Sequence, residues 1–139
     1  MAQRLPVMLA ALWWGSLTGV AFVVVPLLFA HLPSPAQAGG MAAKLFSAQT
    51  WVALACGLPM ALILRQKPAA APARWTSTAM FLIAAGVALA LLLEFAVAPR
   101  IVARENLRLW HSLGSAMLVA QWACAGATLW RLVSRAGSS

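Results

Sequence analysis

Four long apolar stretches dictate what this chain can become. They cover residues 7–30, 45–64, 76–98 and 110–130; the third holds the one carboxylate or Lys/Arg among them, Glu94, and the fourth has His111 at its start. A bilayer core about 30 Å thick needs about 20 apolar residues of helix, so each stretch is long enough to span it. None alternates with period two, which argues against a membrane barrel. A segment alone in hydrocarbon must satisfy its own backbone, and that selects helix. The fold class is therefore all-α: a single transmembrane domain over 1–139, with four transmembrane helices at about 7–30, 45–64, 76–98 and 110–133 joined by short loops.

Composition closes the alternatives. Hydrophobic residues make up 63% of the chain and charged residues 9%, against about a quarter charged in soluble domains. Such a chain cannot cover a water-facing surface, which excludes an ordinary cytosolic enzyme and a disordered polymer. The net charge of +8 does not indicate nucleic acid, because the bases fall in short groups between apolar runs. In that pattern they face anionic headgroups and set orientation. With the N-terminus inside, Arg4, Arg65, Lys67, Arg74, Arg131 and Arg135 face the cytoplasm, and Lys44, Arg100, Arg104 and Arg108 the other side. This bias puts both termini inside.

The connectors read as loops. Residues 31–44 carry Pro33, Pro35, Gly39 and Gly40, which are turn residues. Residues 65–75 carry Pro68 and Pro72. Residues 99–109 carry Arg100, Arg104 and Arg108, whose spacing predicts one basic stripe on a helical turn. That stripe would lie along lipid phosphates or form an anion gate. Ala36-Gln37-Ala38 resembles a cleavage site, but the first run exceeds a signal core and is expected to stay. Pro26 and Pro59 should kink their helices. Trp13, Trp14, Trp51, Trp75, Trp110 and Trp130 read as interfacial anchors, and Trp122 as core. No internal repeat is evident.

Glu94 carries the most chemistry. An acid costs about 2.5–3.5 kcal/mol at the centre of a membrane helix, so it faces protein or water and has a partner. It either reaches an arginine of the following loop or forms a proton or ligand site. His111 and His31 are placed at the same membrane face, with Arg100, and the candidate ligand-binding set is His31, Glu94, Arg100 and His111. Each histidine can equally be a solvated helix end. A metal at His31 and His111, or haem or copper in a redox protein, would need ligands converging from separate helices. Cys56 and Cys124 read as buried free thiols rather than a disulfide or a metal site. Gly15 and Gly19 form GxxxG, a helix-packing motif that serves the chain itself, a homo-oligomer or a membrane-protein partner. No hydrolase, phosphate-loop or zinc-protease motif is present, so an enzyme is not the expected reading.

The blocks Trp14-Gly15, Ala21-Phe22-Val23-Val24-Val25-Pro26-Leu27-Leu28-Phe29, Leu45-Phe46, Ala98-Pro99-Arg100-Ile101 and Trp110-His111-Ser112-Leu113-Gly114-Ser115 resemble a known family. It comprises small bacterial membrane proteins grouped as domain of unknown function 4149, similar to transmembrane protein 205 of animals. The resemblance implies a four-helix membrane protein of unassigned activity that handles a small solute or metal, or assists a membrane complex. A more distant likeness to copper-resistance and haem-linked four-helix membrane families could carry over only His111 and the Pro99-Arg100-Ile101 block. Relatives are expected to hold a neutral polar residue at the place of Glu94.

Overall fold

The computed structural model describes residues 4–66 and 73–136, and every element in it is helical. Lys67, Pro68 and Pro72 lie outside the described residues. Helix α1 is α-helical over Arg4–Gly19, π-helical over Val20–Val24 and α-helical again over Val25–His31. Helix α2 is Pro35–Arg65. Helix α3 joins Ala73–Leu92, a π segment Leu93–Val97 and Ala98–Val102, and α4 is Leu107–Ala136. All four are long and apolar enough to cross a membrane, at 28 to 31 residues each. That is about 42–46 Å of helix, close to the roughly 40–45 Å of a bilayer with its headgroups.

The helix ends differ from the sequence expectation for identifiable reasons. Helix α2 begins at Pro35, ten residues earlier than expected, so residues 35–44 are helix and not connector. Ser34 is extended (φ −143°, ψ 147°) and its Oγ accepts the Gln37 N–H at 3.3 Å. Pro35 stands at the first helical position, where its missing N–H costs nothing. Helix α3 continues past Pro99 because the π segment comes first. Its wider turn, closed by the Ala98 N–H on the Leu93 carbonyl, receives a proline that would clash in a regular helix. Pro26 follows its own π segment in the same way, with the Val25 N–H on the Val20 carbonyl. The longer α3 also leaves Glu94 two turns from its end, not one.

The expected basic stripe is broken. Arg104 adopts φ 57°; its N–H bonds the Ile101 carbonyl at 3.1 Å, and the Glu105 N–H bonds the Arg100 carbonyl at 3.1 Å. This is a Schellman ending with arginine where glycine is usual. Arg100 therefore ends α3 and Arg108 begins α4, on separate helices. A left-handed non-glycine residue costs about 1–2 kcal/mol. Arg104→Gly is accordingly expected to stabilise the protein by about 1 kcal/mol, read as a higher midpoint in thermal unfolding in detergent. An unchanged or lower midpoint would contradict this account of the turn.

The helices pack in the ring order α1–α2–α3–α4, with α1 also against α4. Lipid supplies no hydrophobic force between helices, so close approach and dispersion hold them. Ala10, Ala53, Ala79, Ala90 and Ala125 are buried and bring the backbones together, while Trp13, Leu17, Met60 and Ile83 fill the centre. Trp13 is thus core and not an interfacial anchor. Trp51 is exposed in the middle of α2 rather than at a helix end, because α2 starts early. Gly15 and Gly19 meet no atom within 4 Å, so the GxxxG faces away from the bundle. The close approaches are made instead at Gly57, Gly86 and Gly126.

Contrary to the sequence expectation, the fold contains an internal repeat. The buried residues of α1, Pro6, Ala10, Trp13 and Leu17, recur 73 positions later in α3 as buried Ala79, Ile83, Gly86 and Ala90. The π segments Val20–Val24 and Leu93–Val97 stand at the same separation, as do Phe22 and Phe95, and Pro26 and Pro99. In α2 and α4 the separation is 72: buried Ala42, Gln49, Ala53, Cys56 and Met60 answer to buried Gly114, Gln121, Ala125, Thr128 and Leu132. The burial pattern and π segment of the α1–α2 hairpin thus recur in the α3–α4 hairpin.

Candidate functional site

Polar side chains clasp the helices at mid-bundle. Ser47 Oγ on α2 donates to Glu94 Oε1 on α3 at 2.7 Å. Gln49 Nε2 on α2 donates to Ser16 Oγ on α1 at 3.0 Å, and Ser16 donates in turn to the Trp13 carbonyl at 3.1 Å. Thr50 Oγ1 reaches the Ala90 carbonyl of α3 at 3.4 Å while also bonding Phe46 on its own helix at 3.1 Å. Trp122 Nε1 on α4 donates to Thr18 Oγ1 on α1 at 2.9 Å, and its ring lies 5.8 Å from Trp14 and 5.6 Å from Phe22. In hydrocarbon an unpaired polar group is costly, so these bonds both fix the helix register and define where chemistry can occur.

Glu94 sits in the π segment of α3, partly buried, eight residues before Val102. That is about 12 Å of helix from the end. Among the described residues it forms no ion pair, and Ser47 occupies one of its two oxygens. A π segment is a frequent feature of functional sites; here Val97 of the same segment is buried, with Gly114 of α4 against it, while packing thins along α1 and past Val97. No residue of Val20–Val24, Val25–His31 or Ala98–Val102 is buried, and beyond the π segments each helix packs mainly on its own hairpin partner. The bundle is closed at the terminal end and looser at the end that carries Glu94.

The other three candidate residues stand on the rim of that looser end, and the structure does not join them to Glu94. His31 is exposed, with Nδ1 3.0 Å from the Leu27 carbonyl, so the tautomer protonated there donates to it and leaves Nε2 outward. Arg100 is exposed; it bonds the Ala96 carbonyl at 2.9 Å and lies 4.5 Å over the Trp110 ring. His111 is exposed near the start of α4, and its carbonyl accepts from Ser115 at 2.9 Å. No hydrogen bond or ion pair links Glu94 to His111 or Arg100 among the described residues. Arg100 over Trp110 and Arg135 over Trp75, each at 4.5 Å, tie the two ends of the α3–α4 seam.

Among the described residues, no group of three or more His, Cys, Asp or Glu side chains is placed to hold a metal ion. Cys56 and Cys124 are free thiols. The residues that sequence reasoning missed are Ser16, Ser47 and Gln121, and it places Gln49 only on the Glu94 face, without its bond to Ser16. A single serine or glutamine in an apolar run has no periodic signature. The available signal was Ala48-Gln49 returning as Ala120-Gln121, alongside Phe22 to Pro26 returning as Phe95 to Pro99.

Comparison with known proteins agrees with the architecture. No curated protein and no solved structure matches the chain. The model of a family described as Domain of unknown function (DUF4149) matches residues 8–110, which include α1's core face, all of α2 and the Glu94 segment. With most of its length matched there, this four-helix membrane chain belongs to the DUF4149 family.

Proposed function

We propose that this chain is a membrane protein that binds or moves a small organic solute, with Glu94 as the acceptor for a positively charged or hydrogen-bond-donating group on it. One observation carries the reading: a carboxylate about 12 Å inside the span, held on one oxygen by Ser47 at 2.7 Å and free of ion pairs among the described residues. An acid at that depth persists where it serves a ligand or a proton. His31, Arg100 and His111 form the rim a solute would pass on entering the looser end. Among the described residues no group of three or more metal-binding side chains forms, and no observation favours a haem or copper reading over an organic solute. The Lys/Arg bias supports termini on the cytoplasmic side, and the resemblance to small bacterial membrane proteins supports a bacterial inner membrane. The outward GxxxG is the surface that a second copy or a complex would use.

The test is mass spectrometry of small molecules retained by the protein in a mild detergent, comparing the parent chain with Glu94→Gln and Ser47→Ala. The parent is expected to retain a species that Glu94→Gln loses at least tenfold and Ser47→Ala loses in part. An identical small-molecule complement in all three would overturn the proposal.

A further inference from the structure

The two halves of the repeat keep one buried polar residue in common but differ in what it can bond. Gln49 and Gln121 occupy equivalent places on α2 and α4, 4% and 2% exposed. Each lies 14 residues from the first residue of its helix, about 21 Å along the axis and close to mid-membrane. Gln49 donates its amide to Ser16 Oγ on the adjacent helix of its hairpin. The residue related to Ser16 by the repeat is Leu89 on α3, which offers no oxygen. Gln121 Nε2 accordingly has no hydrogen-bond partner among the described residues. A second buried donor, Trp13 Nε1 on α1, is unpartnered too. The far edge of its ring lies against Gly86 on α3, beside Cys124, one turn along α4 from Gln121.

We infer that Gln121 and Trp13 present a donor site inside the bundle, between α1, α3 and α4, for the hydroxyl or carbonyl oxygen of a small neutral molecule. The repeat supplies the chemistry. In the first hairpin this position is used to hand an amide N–H to a hydroxyl, and in the second the hydroxyl must come from outside the chain. Both donors are uncharged and buried, and an ion would be costly at that depth, so the oxygen belongs to a neutral group. In hydrocarbon, buried donors without an acceptor are strongly disfavoured. Water is the smallest molecule of this chemistry, and an alcohol or ketone is the larger one. The site is separate from Glu94 and does not depend on it.

The experiment uses the full chain, labelled with ¹⁵N, in lipid nanodiscs. The Trp13 indole resonance is assigned by its loss in Trp13→Phe and the Gln121 amide by its loss in Gln121→Leu. Cyclohexanol is the oxygen-bearing probe and cyclohexane the control of like shape. Saturable downfield shifts of both resonances with cyclohexanol, absent with cyclohexane and absent at Trp13 in Gln121→Leu, support a solute site. Resonances already downfield, with cross-peaks to water and no response to cyclohexanol, support the same donor site and identify water as its occupant. Resonances at unbonded positions that answer neither to water nor to cyclohexanol overturn the inference. So does a Gln121→Leu chain that melts above the parent, since removing a satisfied amide should lower the midpoint. Retention of both responses in Glu94→Gln separates this result from that of the solute site at Glu94.

Discussion

A Gly86→Leu chain is expected to lose the folded bundle. Gly86 lies where α3 meets the ring of Trp13, and a Cβ there would stand 2.6 Å from Cη2, 2.9 Å from Cζ2 and 3.4 Å from the Cys124 Cβ. Trp13 is fully buried, so its ring cannot swing out to lipid without opening the core. Overpacking a filled core costs about 1–3 kcal/mol per site, and a leucine adds three carbons beyond the one that already collides. The repeat makes the clash instructive: Trp13 and Gly86 are equivalent positions of the two hairpins, one large and one absent, meeting in the core. Trp13→Ala alone should cost about 3–5 kcal/mol. The two changes together should cost less than their sum, because each relieves what the other creates. Unfolding midpoints in detergent decide this. Gly86→Leu melting with the parent, or strictly additive losses, would show that the ring and the glycine are not in contact.

What could be read in advance follows from where the physics is local. Four spans were legible because the cost of placing charge in hydrocarbon acts residue by residue. Their ends were less so. Pro35 reads as a breaker until Ser34 is seen to cap the turn it opens, and Pro99 reads as a stop until the π segment before it is known. Arg100, Arg104 and Arg108 form a stripe only if the backbone stays helical, and the left-handed Arg104 ends it. Glu94 stood out as a lone acid. Its partner Ser47 is 47 residues away, on another helix, and nothing in the spacing names it. His111 is the nearer of the two in sequence and lies on the rim. The glutamines show the remaining limit: one of them is satisfied and one is not, and that difference resides in whether residue 16 or residue 89 carries a hydroxyl.

Glu94→Leu should make the protein more stable and less able to hold its solute. Keeping a carboxylate inside a membrane helix costs up to about 2.5–3.5 kcal/mol at mid-depth and less toward the interface. The bond from Ser47 returns only part of this, since a hydrogen bond to a charged group contributes about 1.5–3 kcal/mol. Replacing the acid with leucine removes the cost and leaves Ser47 able to turn to a carbonyl of its own helix, as Thr50 does one turn along the chain. A gain of about 1 kcal/mol is expected, read as a higher unfolding midpoint in detergent. Ser47→Ala should act in the opposite sense and cost about 1–3 kcal/mol of stability, read as a lower midpoint, because the carboxylate then stays in the span without its donor. In the double variant the loss should vanish, since no acid remains to be left unpaired. A residue retained for packing would behave otherwise: its removal would lower stability whatever stood at position 47. If Glu94→Leu destabilises the bundle and leaves its retained small molecules unchanged, Glu94 is a structural clasp and the solute site must lie elsewhere. If stability rises as binding disappears, the acid is kept at the expense of the fold for what it holds.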